Sequence, residues 1–231
     1  MKNYVIIGGS SGIGAAITQQ LSASAHQVYA SYYTHEQTNE GHIQYFHLNV
    51  MDSELSLDFL PEQIDGLVYC PGSILLKPFL RISPADFIRD YELQVLGAVK
   101  VIQQILPRLK KSPQASIVLF STVAVQTGFT FHSVVASSKG AIEGLTRSLA
   151  AELAPSVRVN CIAPSITDTP LAGNLINTPE KKEVNAKRHP LQKIGTPNDL
   201  ASMACFLLSD ASGWITGQVF PVDGGMSSLK V

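Results

Sequence analysis

The stretch Val5-Ile6-Ile7-Gly8-Gly9-Ser10-Ser11-Gly12-Ile13-Gly14 decides the fold. Its three leading apolar residues are β-branched and read as a strand buried on both faces, as in a parallel sheet. The glycines end that strand. A helical pattern follows at once, with Ile13, Ala16, Ile17, Gln20 and Leu21 on one face. A strand, a glycine-rich turn and a new helix form the unit that receives a pyrophosphate. Glycine lets the backbone come close to the phosphates, and the bare N–H groups of the helix face the anion. The spacing, Gly8-x3-Gly12-x-Gly14, is looser than the G-x-G-x-x-G dinucleotide fingerprint. Its position on the first strand of an alternating series strengthens the reading.

Outward from this unit, strands and helices alternate to the end. Strands are expected at Gln27–Tyr33, Ile43–Leu48, Asp65–Cys70, Ser116–Phe120, Val157–Ile162 and Gln218–Val222. Ser83-Pro84-Ala85-Asp86 is an N-cap with proline at the first helical position. One long helix is expected from there to about Lys111, with Gly97 inside it. Glycine there costs roughly 1 kcal/mol against alanine, which implies close packing against a neighbour. A second long helix, Val134 to Leu153, carries Lys139, and a further helix covers Asn198 to Leu208. The polar, proline-punctuated segment 167–197 reads as a lid or binding loop. The alternation predicts a three-layer, doubly wound α/β fold with a parallel sheet of about seven strands, in one domain spanning residues 1–231.

Composition narrows the function classes. The 231 residues carry 17 Lys and Arg against 18 Asp and Glu, with no basic tail, which argues against nucleic acid as a partner. No apolar run reaches bilayer length and no leader pattern opens the chain, so a cytoplasmic protein that does not engage membranes is expected. Cys70, Cys161 and Cys205 show neither metal nor disulfide spacing, and no metal site is expected. At the end of the second strand, Ser31, Tyr32, Tyr33, Thr34 and His35 include no carboxylate for a ribose 2′-OH and no Arg or Lys for a 2′-phosphate. NADP and NAD therefore both stay open.

These residues resemble the short-chain dehydrogenase/reductase family from Tyr4 to Gly225. The glycine turn is similar to its cofactor loop, with Ile7 where threonine is usual. Val157–Pro164 is similar to its sixth strand. His189-Pro190-Leu191, Gly195–Ala201, Ile215–Gln218 and Val222–Gly225 resemble its C-terminal half. The resemblance implies a Rossmann fold, a nicotinamide cofactor, a small carbonyl or alcohol substrate, and a homodimer or homotetramer built on the two long helices. It implies cofactor contacts from Gly8, Ser10, Ser11, Gly12, Ile13, Gly14, Tyr32, Asn49, Val50, Gly72, Lys139, Pro164, Ile166 and Thr169.

The catalytic positions depart from the family pattern. Its lysine falls on Lys139, its serine on Thr122, and its helix asparagine on Gln94. Its tyrosine, four residues before the lysine, falls on Val135. Hydride addition to a carbonyl leaves negative charge on oxygen that an acid must quench, and general acid catalysis is worth about 10² to 10⁴ in rate. Valine has no proton to give. Thr122 and Gln94 can still hold polar atoms of a substrate, and Lys139 can hold the nicotinamide ribose. His132 lies seven residues before Lys139, a spacing that resembles the tyrosine-to-lysine spacing of the family's enoyl reductases, and is the first candidate for the missing acid. Tyr69 and Cys70 stand where the family has an asparagine-rich turn and read as packing substitutions. Lys181, Lys182, Lys187 and Arg188 make the lid basic and read chiefly as a solvated face. A non-catalytic nucleotide-binding or scaffolding protein is the second reading.

Overall fold

Strand β1, Asn3–Ile7, lies near the middle of a seven-stranded sheet, and its alternating side chains feed two separate cores. The computed structural model describes residues 1–230 of the chain. The other strands are β2, Gln27–Tyr32; β3, Ile43–His47; β4, Gly66–Tyr69; β5, Ala115–Phe120; β6, Val157–Pro164; and β7, Val219–Val222. All pairings are parallel, in the order β3-β2-β1-β4-β5-β6-β7. The helices are α1, Gly12–Ala23; α2, Pro84–Tyr91; α3, Gly97–Leu109; α4, Ala124–Thr127; α5, Ser133–Leu153; α6, Pro179–Lys187; and α7, Pro197–Leu208.

Val5 and Ile7 point to one face of the sheet, where they meet Val101, Ile105 and Ile142 of α3 and α5. Tyr4 and Ile6 point to the other, against Ile17 and Leu21 of α1 and Leu200 and Leu207 of α7. Each fully buried aliphatic side chain contributes roughly 1.5–3 kcal/mol, so the double burial of the strands drives the layering. Chain order reverses between β1 and β4, which opens a crevice at the carboxyl ends of these strands, the position where open α/β sheets bind ligands.

The expected elements are all present, with strand ends moved by one or two residues. Two differences have physical causes. The helix expected from Ser83 to Lys111 contains a π-helical turn, Glu92–Leu96, between α2 and α3. The Tyr69 hydroxyl donates to the carbonyl of Leu93 within this turn at 2.6 Å. The segment 167–197 carries a 3₁₀ turn, Pro170–Leu175, and α6 instead of running as an open loop. Both begin with proline behind a threonine N-cap, Thr169 and Thr178. The two ends of this lid are tied together: Asp168 N donates to Gly195 O at 2.8 Å and Gly195 N to Ile166 O at 3.0 Å.

Candidate active site

The glycine turn is shaped for an anion. Gly8 and Gly12 have φ of +73° and +51°, a region that side chains rarely enter. A Cβ on Gly14 would lie 2.1 Å from Gly8 O, so only glycine lets the turn close on the helix. Ser11 sits at the N-cap of α1 in extended conformation, and its side chain caps nothing. The first helical turn holds no acidic residue. Its N–H groups are thus left for a ligand rather than spent on a cap. Ser31, at the end of β2, accepts a hydrogen bond from Gly8 N at 2.8 Å and is used in holding the turn. Across the turn, the Cβ position of Gly12 lies 3.4 Å from the methyl of Thr169, which brings the root of the lid against the phosphate end of the crevice.

A cavity of about 310 Å³ continues from this point along the carboxyl ends of β4, β5 and β6. Gly72, Gln94, Thr122, His132, Val135 and Lys139 line it, as do Ile13, Pro164, Ile166 and Thr169. Gly8, Ser10, Ser11, Gly12, Gly14, Tyr32, Asn49 and Val50 lie outside its lining. Asn49 spends its side chain on a local turn, donating to Asp52 and accepting from Met51 N. Val50 is buried against the backbone of Gly97.

Lys139 projects from α5 into this cavity and donates from Nζ to Phe120 O at 2.8 Å. Burial lowers its pKa from 10.5 to about 8, with the nearby thiols of Cys161 and Cys70 and the carboxylate of Asp90 pulling the other way. Gln94 is fully buried. Its Nε2 donates to Asp90 at 2.7 Å, and its Oε1 has no hydrogen-bond partner. A Cβ on Gly72 would lie 3.4 Å from that orphaned oxygen and 3.7 Å from Lys139 Nζ. The absence of a side chain at Gly72 therefore leaves a small polar recess between amide and ammonium. An unsatisfied buried acceptor costs about 1–3 kcal/mol, which marks the recess as a place for a polar guest.

Val135 lies one helical turn before Lys139, on the cavity wall and nearly buried. His132 sits at the N-cap of α5, half-buried. Its Nδ1 is 2.7 Å from Thr130 O, so that nitrogen carries the proton in the neutral ring and Nε2 is left as the working atom. Phe131, just before it, has φ of +68°, an uncommon conformation for an aromatic residue, and its carbonyl accepts from Lys77 N. Thr122 Oγ1 accepts from Ala124 N at 3.3 Å, which steadies the hydroxyl at the end of β5.

Tyr69 is 3% exposed, and the chemistry of its ring is spent on Leu93. Cys70 lines the cavity, but burial pushes its thiol up to about 12, so no thiolate is available there. In the lid, Lys182 pairs with Asp168 and Lys187 with Glu183, and only Arg188 of the basic set reaches the cavity, stacked 5.6 Å from the centre of the Phe129 ring.

The sequence reading missed three residues. Asp90 is a buried carboxylate that accepts from Gln94 Nε2 and from the Ser73 hydroxyl. Its place four residues before Gln94, on the same helical face, was the available signal. Ser165 and His189 face each other with Oγ and Nε2 2.8 Å apart, although 24 residues separate them. No local spacing could have joined that pair. Among the described residues, no group of three or more metal-ligating side chains occurs, and no helix is long and apolar enough to cross a membrane.

Comparison with known proteins agrees with this geometry. A family model described as enoyl-(acyl carrier protein) reductase matches residues 8–227. A tropinone reductase homologue of Arabidopsis thaliana is 30% identical over 242 residues, covering 97% of this chain and 92% of its own. The 3-oxoacyl-(acyl-carrier-protein) reductase of Thermotoga maritima is 31% identical over 242 residues, with 97% of each chain covered. The structure of Thermoplasma acidophilum aldohexose dehydrogenase superposes with a TM-score of 0.91 at 28% identity, covering all of this chain and 96% of that one. The structure of ElxO with NADP bound superposes with a TM-score of 0.89 at 27% identity, covering 99% of each chain. The glycine turn, the buried lysine of α5, the parallel sheet and these matches together place the chain in the short-chain dehydrogenase/reductase family of oxidoreductases.

Proposed function

We propose that this protein is a nicotinamide-dependent oxidoreductase that interconverts a small carbonyl compound and its alcohol, with a rebuilt acid position. The carrying observation is that Lys139, Thr122 and Gln94 line one cavity whose near end meets an uncapped, glycine-shaped helix N-terminus. The residues fit a dinucleotide. The turn from Gly8 to Gly14 and the start of α1 suit its pyrophosphate, and the cavity between Ile13, Pro164, Ile166 and Thr169 suits its nicotinamide end. When bound, the nicotinamide gives or takes the hydride. Relatives include an NADP-bound structure, and either NADP or NAD is compatible with the uncharged end of β2.

The chain supplies the remaining chemistry. Thr122 offers a hydroxyl to the carbonyl oxygen at the end of β5. Lys139 holds a ribose hydroxyl, and its ammonium also stabilises negative charge that develops on the substrate oxygen. Val135 cannot give a proton, and His132 takes the acid's place as the imidazolium, which donates from Nε2 while Nδ1–H stays on Thr130 O. The mainly apolar wall, with Ile74, Leu76, Leu171 and Leu175, suits a small uncharged substrate body and excludes water. A homodimer or homotetramer on the long helices is the assembly expected, because Ile88, Tyr91 and Leu96 leave apolar surface exposed there.

Val135 also favours a second reading, in which a nucleotide-binding or scaffolding protein keeps the frame and has lost turnover. A fluorescence titration with NADH and NADPH, followed by a panel of carbonyl substrates, separates the two. Binding together with turnover supports the first. Binding without turnover, rising to measurable turnover in Val135→Tyr, supports the second. Binding of neither cofactor overturns both.

A further inference from the structure

The same crevice holds a second constellation that hydride transfer does not use. Ser165 follows β6 directly, at the carboxyl edge of the sheet, and is half-buried between the main cavity and a smaller one of about 130 Å³. Pro164 O accepts from Val123 N at 3.1 Å, which fixes the strand end that carries it. His189 comes from the far end of the lid and is 2% exposed. Its Nε2 is 2.8 Å from Ser165 Oγ, and its Nδ1 is 2.8 Å from Asn185 O.

These contacts determine where the protons are. A backbone carbonyl only accepts, so Nδ1 must carry a hydrogen to bond with Asn185 O. In the neutral ring Nε2 is then the bare nitrogen, and the Ser165 hydroxyl donates to it. Ser165 Oγ also lies 3.2 Å from Met226 Sδ, but a thioether is a weak acceptor beside an imidazole nitrogen. Asp223 stands within electrostatic reach of the ring, held by bonds from Gly225 N at 2.9 Å and Ser227 N at 2.8 Å. This is the arrangement of an activated nucleophile: a hydroxyl bonded to a base whose tautomer a third group imposes.

We propose that Ser165 and His189 form a serine–histidine acyl-transfer site that cleaves carboxylic esters or thioesters with an apolar acyl group. Ser165 Oγ attacks the acyl carbon as its proton passes to His189 Nε2. The tetrahedral intermediate expels the alkoxide or thiolate, which leaves with that proton, and the acyl group remains esterified to Ser165. Water then attacks the acyl carbon, gives one proton to His189 Nε2, and releases the acid as Oγ recovers the proton. Val135, Leu171 and Leu175 on the shared cavity wall suit the apolar chain.

The test uses the full chain without added cofactor. A fluorophosphonate with a medium alkyl chain is incubated with the protein, and the modified residue is located by peptide mass. Hydrolysis of p-nitrophenyl hexanoate is followed in parallel. One adduct on Ser165 is expected in the wild type, and Ser165→Ala should lose both the adduct and the ester cleavage. His189→Gln should slow modification by at least about 100-fold, the usual scale of general base assistance. The absence of an adduct on Ser165 in the wild type overturns the proposal, and that result requires no variant to fold. Modification at an unchanged rate in a folded His189→Gln protein, or undiminished ester cleavage in Ser165→Ala, overturns it as well. No nicotinamide takes part, so this outcome and that of the oxidoreductase reading are independent.

Discussion

The Tyr69 hydroxyl occupies the space that a side chain on Gly97 would fill: a Cβ built there would lie 2.3 Å from the phenol oxygen. The same hydroxyl donates to Leu93 O, in the π-helical turn that joins α2 to α3. A tyrosine at the end of β4, a wide helical turn and a mid-helix glycine therefore form one packing unit behind the cavity. Gly97→Ala should destabilise by about 1–3 kcal/mol through overpacking. Tyr69→Phe should cost about 0.5–1.5 kcal/mol by removing the hydrogen bond to Leu93 O. The double variant should lose less than the sum, because each change relieves the other. Urea midpoints for the four proteins measure this, and strict additivity would show that the two residues do not share the space.

Restoring the phenol should raise turnover. In Val135→Tyr the new ring stands one helical turn from Lys139, whose ammonium favours the phenolate and makes the phenol a better acid. Where no group takes the acid's place, as in the second reading, an increase in kcat of about 100-fold on a responsive carbonyl substrate is expected, the lower end of the range for general acid catalysis. Steady-state rates at saturating cofactor check it, and an unchanged kcat would locate the proton donor elsewhere.

His132→Ala should abolish carbonyl reduction while leaving cofactor affinity intact, because Nε2 is the atom assigned to the acid. Tyr69→Phe should leave kcat within about twofold in protein that remains folded, since that hydroxyl is spent on the backbone. Equal rates for His132→Ala and wild type would remove the histidine from the chemistry.

The buried ammonium makes stability depend on pH with a definite sign. Lys139 titrates near 8 in the folded chain and near 10.5 in the unfolded one. Between these values the unfolded chain binds the extra proton, so this group's contribution to stability rises with pH from about 8 to 10.5. Below the window both states are protonated, and the burial penalty is fully present. The stability of wild type relative to Lys139→Met should therefore improve as pH rises from 8 to 10. Denaturation midpoints of both proteins at these two pH values test this, and a constant difference would contradict the folded value.

Gly14→Ala should weaken NADPH binding at least tenfold, about 1.4 kcal/mol, because its Cβ collides with Gly8 O and the turn must open. Isothermal titration reads the change. A normal dissociation constant would place the pyrophosphate elsewhere.

Much of this molecule is legible in its sequence, for identifiable reasons. The Val5–Gly14 stretch announces strand, turn and helix by local chemistry alone. Gly97 announced a close neighbour by its helix-breaking cost, and that neighbour is Tyr69. The proline-led N-cap at Ser83 is formed as a capping box closed by Asp86. The π-helical turn could not be read, because packing of Tyr69 against the helix, rather than any local preference, supports it. The recess beside the orphaned Gln94 oxygen depends on the absence of a side chain at Gly72, in the loop after β4 and before α2. The Ser165–His189 bond depends on how the lid folds back onto the sheet, and the neighbours of each residue in the chain say nothing of the other.

The paired backbone bonds between Ile166, Asp168 and Gly195 act as a drawstring at the neck of the segment above them. Whatever the chain does between those points, its departure from the sheet and its return stay in register. Length and composition there can drift over generations without cost to the strands below. In such a protein, new substrate preferences should be acquired above that neck, at positions other than Thr169 and His189, which reach back into the crevice.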